Sequence, residues 1–248
     1  MRMTLASIAA CAIACTAVPA FAAPVIFSGE DLNMSGDPNQ AAFTNATNAR
    51  NNFFANLTGV GVETFESIPS GTSSPITLTF PGAGSATLNG TGSVAAGNDG
   101  LGRYPFSGSQ YYYAGSDDFT INFSSAISAF GFYGTDLGDF GGQLTLTLTG
   151  SNGVTVLTVP NTIGSSGSTS GSNLYWGFYD TANTYTSISF GNNSGGADIF
   201  GFDDFSIGSL EQVTPTPAPE PSSWAMMLGG FGLLGGTMRA RRKASAIA

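Results

Sequence analysis

Leu144-Thr145-Leu146-Thr147-Leu148-Thr149-Gly150-Ser151-Asn152-Gly153-Val154-Thr155-Val156 alternates leucine with threonine, breaks at a four-residue polar turn, and resumes with β-branched residues. A period of two places successive side chains on opposite faces of a strand, one apolar and one hydroxylated. The turn and the return after it read as a hairpin. Working outward, similar short runs rich in Thr, Val, Ile and aromatics occupy 62–66, 76–80, 85–88, 119–123 and 127–133. Others lie at 154–159, 174–179, 185–190 and 200–207. Gly, Asn, Asp and Ser separate them, and no helical pattern intervenes. About ten strands on this spacing predict an all-β antiparallel sandwich or jelly roll.

One helix is expected ahead of the strands, over 38–57. Asp37-Pro38 supplies a cap and a first-turn proline. Phe43, Ala46, Arg50, Phe53, Phe54 and Leu57 then recur at spacings of three and four, and Gly59 closes the run.

The 248 residues include 35 glycines and only 9% charged side chains. All 16 acids lie between Glu30 and Glu220. Arg50 and Arg103 are the only basic residues in that stretch, which therefore carries −14. Such a body repels phosphate backbones, which argues against a nucleic-acid partner. There is no histidine, and Cys11 and Cys15 both lie near the start. Most zinc sites and the Ser-His-Asp and Cys-His nucleophile arrangements are thereby excluded.

The two ends have their own composition. Residues 1–22 combine Arg2, an apolar stretch and Ala20-Phe21-Ala22, the layout of a secretory signal peptide cleaved after Ala22. A body is expected over 23–210, followed by a proline-punctuated linker over 211–219. The remainder, 219–243, opens with Pro219-Glu220-Pro221-Ser222-Ser223-Trp224-Ala225. It runs uncharged to Met238 and ends in Arg239, Arg241, Arg242 and Lys243. Trp224 suits a membrane interface and the basic cluster a cytoplasmic side. Fifteen residues from Trp224 to Met238, five of them glycine, fall short of the ~20 that span a bilayer comfortably. Such a segment suits a transient inner-membrane anchor.

The order of motif, apolar span and basic tail resembles the PEP-CTERM sorting signal in its PEPxxWA form. The resemblance implies processing near Pro219-Glu220-Pro221 by exosortase, a membrane-embedded cysteine transpeptidase of Gram-negative bacteria that make extracellular polysaccharide. It implies release or attachment at the cell surface or in the extracellular matrix and biofilm. The segments 63–69 and 201–208 more loosely resemble the strand ends of carbohydrate-binding jelly rolls, in which acids of first and last strands share calcium.

Candidate chemistry follows from the residue types available. Calcium takes six to eight oxygens and needs neither His nor Cys. Glu63 or Glu66 meeting Asp203 or Asp204 across first and last strands would form such a site, and Asp136 with Asp139 offers a second. Asp117-Asp118 and Asp203-Asp204 are adjacent in sequence, so within a strand each pair would point to opposite faces. Any glycosidase pair would have to come from different strands. Tyr111, Tyr112 and Tyr113 are the aromatic platform expected to contact glycan, whereas Trp176 and Phe178 are expected in the core. The expected function is structural or glycan-binding, in association with exopolysaccharide and without enzymatic activity. A polysaccharide-active enzyme relying on carboxylates alone and a protein-binding adhesin are the alternatives.

Overall fold

A computed structural model describes residues 23–32, 43–115, 119–193, 198–214 and 231. Thirteen strands and one α-helix lie in this range. They are β1 (Val25–Asp31), α1 (Thr44–Phe54), β2 (Val62–Glu63), β3 (Ile76–Phe80), β4 (Gly84–Gly90), β5 (Ser93–Ala96) and β6 (Gln110–Gly115). There follow β7 (Phe119–Ile127), β8 (Ala129–Thr135), β9 (Leu144–Gly150), β10 (Gly153–Thr158), β11 (Asn173–Tyr179), β12 (Tyr185–Asn192) and β13 (Ile199–Gly208). Every strand pairing is antiparallel. One sheet runs β1-β11-β8-β13-β6-β5, with β2 also on β13; the other runs β10-β9-β12-β7-β4-β3. The molecule is an antiparallel β-sandwich with one helix, as the strand spacing predicts.

Alternation builds the core. Leu144, Leu146 and Leu148 of β9, Ile121 of β7 and Ile188 of β12 face inward with Phe119 and Phe190. They meet Phe130, Phe132, Phe202 and Phe205 of the opposing sheet. Trp176 and Phe178 lie in this core, as expected. The hairpin read from 144–156 is β9–β10, with Val154 opposite Thr149 and Val156 opposite Thr147.

Helix α1 packs on the outer face of the first sheet, against β1 and β11. Phe53 rests on Gly131 and Gly177, which are register partners in β8 and β11. The helix departs from the sequence reading at both ends. Its first described turn begins at Thr44, and the carboxylate that caps it comes from β1: Asp31 accepts hydrogen bonds from the Asn45 and Ala46 amides. An anion at a helix N-terminus satisfies otherwise unpaired N–H groups. Asp37 and Pro38 lie outside the described residues. At the other end the helix stops at Phe54, and Leu57 is instead bridged to Val213.

Two more boundaries move. The strand read over 62–66 stops at Glu63, because Phe65 takes a left-handed backbone (φ 60°) and donates its amide to the Glu63 carboxylate. The folded body continues past 210 to Thr214. Ser209 and Gln212 cap a short 3-10 turn, and Thr214 donates its amide to the Asn56 carbonyl. The 1–22 and 219–243 segments lie outside the described residues apart from Phe231. Among the described residues, no helix is long and apolar enough to cross a membrane.

Candidate functional site

The structure brings β2 beside the last strand, as the sequence implies: Glu63 lies opposite Phe205 and Val62 opposite Ser206. The four acids expected to share calcium are nevertheless engaged in three separate places, with Asp203 and Asp204 together on Ser107. Glu63 accepts from the Phe65 and Thr79 amides. Glu66 accepts from the Ser109 amide and hydroxyl and from the Gln110 amide. Its slight burial raises its pKa, but these bonds outweigh that and hold it below the usual carboxylate value. Asp203 accepts from the Phe106 and Ser107 amides, and Asp204 from the Ser107 hydroxyl. Among the described residues, no three Asp, Glu, His or Cys side chains are placed to hold a metal ion.

Asp203 and Asp204 also correct the expectation that neighbours in a strand point apart. The register of β13 shifts between Asp203 and Ser206, and Asp204 is left-handed (φ 51°). This bulge turns both carboxylates onto Ser107. Burial, with the adjacent Asp204 charge second, raises the Asp203 pKa well above normal. Asp117 and Asp118 lie outside the described residues.

The tyrosine run is largely interior. Tyr112 is fully buried between the sheets, stacked with Phe65. Tyr111 is 1% exposed, so neither ring offers a platform to glycan. Tyr113 is half-buried, with the Arg103 guanidinium 5.6 Å above its ring. Alternation sends Tyr112 inward, while the loop just before β6 brings Arg103 over Tyr113 on the other face.

Arg103 belongs to a buried polar cluster that sequence reasoning found only in part. It donates to Asp99 and Asp136 and to the Ile199 carbonyl. Asp136 and Asp198 are each 3% exposed. Asp136 Oδ1 and Asp198 Oδ2 are buried with no hydrogen-bond partner among the described residues. Asp139, grouped with Asp136 by spacing, has a different task. Its carboxylate accepts from the Gly167 and Thr169 amides and from the Thr169 and Ser168 hydroxyls. It thereby latches the 138–142 segment to the 161–172 loop, leaving Phe140 half-exposed at a left-handed tip.

Burial pushes the Asp136 carboxyl up to about 7 against the pull of Arg103, with Asp139, Asp198 and Asp99 adding repulsion. Burial likewise lifts Asp198 to about 7, partly offset by the Ile199 amide, with Asp139 adding repulsion. A carboxyl raised in the folded state binds protons that the unfolded chain has already lost. Stability from these two groups is therefore full below the ordinary carboxylate pKa and is lost as pH rises through about 7. The melting temperature should be several degrees higher near pH 5 than near pH 8. Asp136→Asn with Asp198→Asn should flatten that slope; an unchanged slope in the double variant would refute the assignment.

A hollow of about 230 Å³ lies at the β9–β10 hairpin, lined by Asn152, Gly153, Thr155, Asn183 and Tyr185. Its wall carries no charge. Asp180 fixes it from behind, accepting from the Asn183 amide and side chain and from the Tyr185 hydroxyl.

Comparison with known proteins gives one sequence match and two structural likenesses. Residues 217–243 match the PEP-CTERM protein-sorting motif. No curated protein sequence matches the chain. The K2 cleaved adhesin domain of Lys-gingipain aligns at 18% identity and a TM-score of 0.36, over 60% of this chain and 97% of its own. TmCBM61, solved in complex with β-1,4-galactotriose, aligns at 15% identity and a TM-score of 0.30, over 59% and 94%. The chain thus joins a β-sandwich to a PEP-CTERM protein-sorting motif, the mark of an exported protein with a C-terminal anchor.

Proposed function

We propose that this protein is exported through its 1–22 signal peptide and held briefly at the inner membrane by 219–243. Exosortase then processes it near Pro219-Glu220-Pro221 and delivers it to the cell surface or extracellular matrix. There the sandwich acts without catalysis, as a structural or polysaccharide-binding element. The sorting motif at 217–243 carries this reading. The non-catalytic part is supported by the use made of the acids: Glu63, Glu66, Asp139, Asp180 and Asp203 all hold backbone amides.

Replacing Pro219, Glu220, Pro221 and Trp224 together with alanine should abolish processing in the native host. Intact-mass spectrometry should then find the variant in the membrane fraction with its tail complete to Ala248, whereas the wild type ends near Pro219. An unchanged terminus and destination would overturn the route. The same spectra should place the mature N-terminus at Ala23. Reducing-sugar release from the host's own polysaccharide should stay at the blank level, and release above it would overturn the non-enzymatic reading.

A further inference from the structure

The outer face of the β10-β9-β12-β7-β4-β3 sheet is free of ionisable side chains, since none of its six strands contains Asp, Glu, Lys, Arg or His. The other sheet is covered outside by α1 and the 97–108 loop; this one is covered by no described element. Its outward positions are mostly hydroxyls and short amides, with Val154 and Val156 on the edge strand β10, and the registers align them in rows. Thr77 pairs with Thr87, Thr87 with Asn122, Asn122 with Ser187, Ser187 with Thr149 and Thr149 with Val154. This row crosses all six strands, and at about 4.8 Å per step it is roughly 24 Å long. A second row, about 7 Å away, runs Asn89, Thr120, Ser189, Thr147 and Val156.

The two rows differ in how their polar groups are used. Thr120 and Ser189 bond to each other at 2.7 Å. In the first row Thr77, Thr87, Asn122 and Thr149 are exposed. Their side chains, with that of Ser187, have no hydrogen-bond partner among the described residues. Each Ser or Thr hydroxyl both donates and accepts, as a sugar hydroxyl does. Threonine methyls and exposed Val154 and Val156 add apolar patches of the size a sugar's C–H face offers.

Charge and shape narrow the partner. A body of −14 repels polyanions, and a neutral face gives no purchase to a cationic protein. Neighbouring strands rotate by about 20–25°, so five steps turn the row through more than about 100°, which a crystalline plane cannot follow and one flexible chain can. Without an exposed ring, each sugar contributes little, and affinity must come from many sugars held together.

We propose that this face binds a single chain of uncharged polysaccharide, laid across the strands along the Thr77–Val154 row. This rests on the reading of the sandwich as a polysaccharide-associated surface domain. Native gels cast with hydroxyethylcellulose, dextran, alginate or the host's own purified polysaccharide would test it. The wild type should be retarded by at least one neutral polymer or by the host polymer, and not by alginate. Thr87→Lys with Thr149→Lys, or Asn122→Lys alone, should weaken retardation about tenfold. Ser70→Lys, on an exposed loop elsewhere, should leave it unchanged, and melting curves should show all variants folded. Retardation that survives both row variants would sink this surface while leaving the polysaccharide-bound reading standing. Retardation by none of the polymers would remove both. A dimer in sedimentation that the row lysines dissociate, with no retardation, would assign the face to a second copy instead.

Discussion

Phe190→Ala is expected to cost about 3–5 kcal/mol and to lower the melting temperature by roughly 10 °C. Phe190 stands on β12 and packs against both sheets. Its ring stacks on Phe119 with centroids 4.2 Å apart and meets Phe132 and Phe202 edge-on at 5.4 Å each. Phe130 and Phe205 complete the surround. Five rings fixed on three strands, β7, β8 and β13, cannot collapse into the space left by one. The cavity therefore persists and adds to the lost transfer energy. Thr149→Ala, on the outer face of the neighbouring strand, should change stability by less than about 0.5 kcal/mol. Chemical denaturation of the two variants checks the contrast, and equal losses would show that the sheets do not close on these rings.

Gly29→Ala is expected to destabilise by about 1–3 kcal/mol, against the usual sign for such a change. A glycine replaced by alanine at an ordinary backbone angle commonly gains about 0.4–1 kcal/mol through the unfolded state. Here the added methyl would overlap the Asn45 carbonyl oxygen, which is helix backbone and cannot rotate away. The helix must lift, loosening the Asp31 cap and the seating of Phe53 on Gly131 and Gly177. Hydrogen exchange over 44–54 should speed up well beyond that of β9 and β12. A neutral or stabilising result with unchanged exchange would mean that the helix is not seated on β1.

The fold was legible where the alternation was clean. Leucine and threonine on β9 left one arrangement possible, and β3, β4, β7 and β12 follow the same rule. It was illegible where one residue diverts the chain. Phe65 and Asp204 adopt left-handed backbone that no non-glycine pattern announces, so the end of β2 and the bulge in β13 were missed. β1 was missed because Glu30 and Asp31 spoil its apolar run. Glu30 serves as an acceptor for Thr162, 132 residues away. The candidate site was harder still. Asp136 was visible from its loop, but Asp99, Arg103 and Asp198 come together only through the topology, and of the tyrosines read as a ligand platform Tyr111 and Tyr112 are both buried.

The chain leaves the sandwich beside the segment that follows its helix. Thr58 donates to Gln212, Thr214 to Asn56, and the Gln212 side chain to the Gly59 and Gly82 carbonyls. Upstream of that knot runs β13, flanked on one side by β8 and on the other by β6 and then β2. Tension applied through a tethered tail therefore enters along the axis of an interior strand. Antiparallel ladder bonds lie across that axis, so both flanks must be sheared together instead of peeled one bond at a time. The geometry makes the C-terminal end of the sandwich a mechanically strong point of attachment.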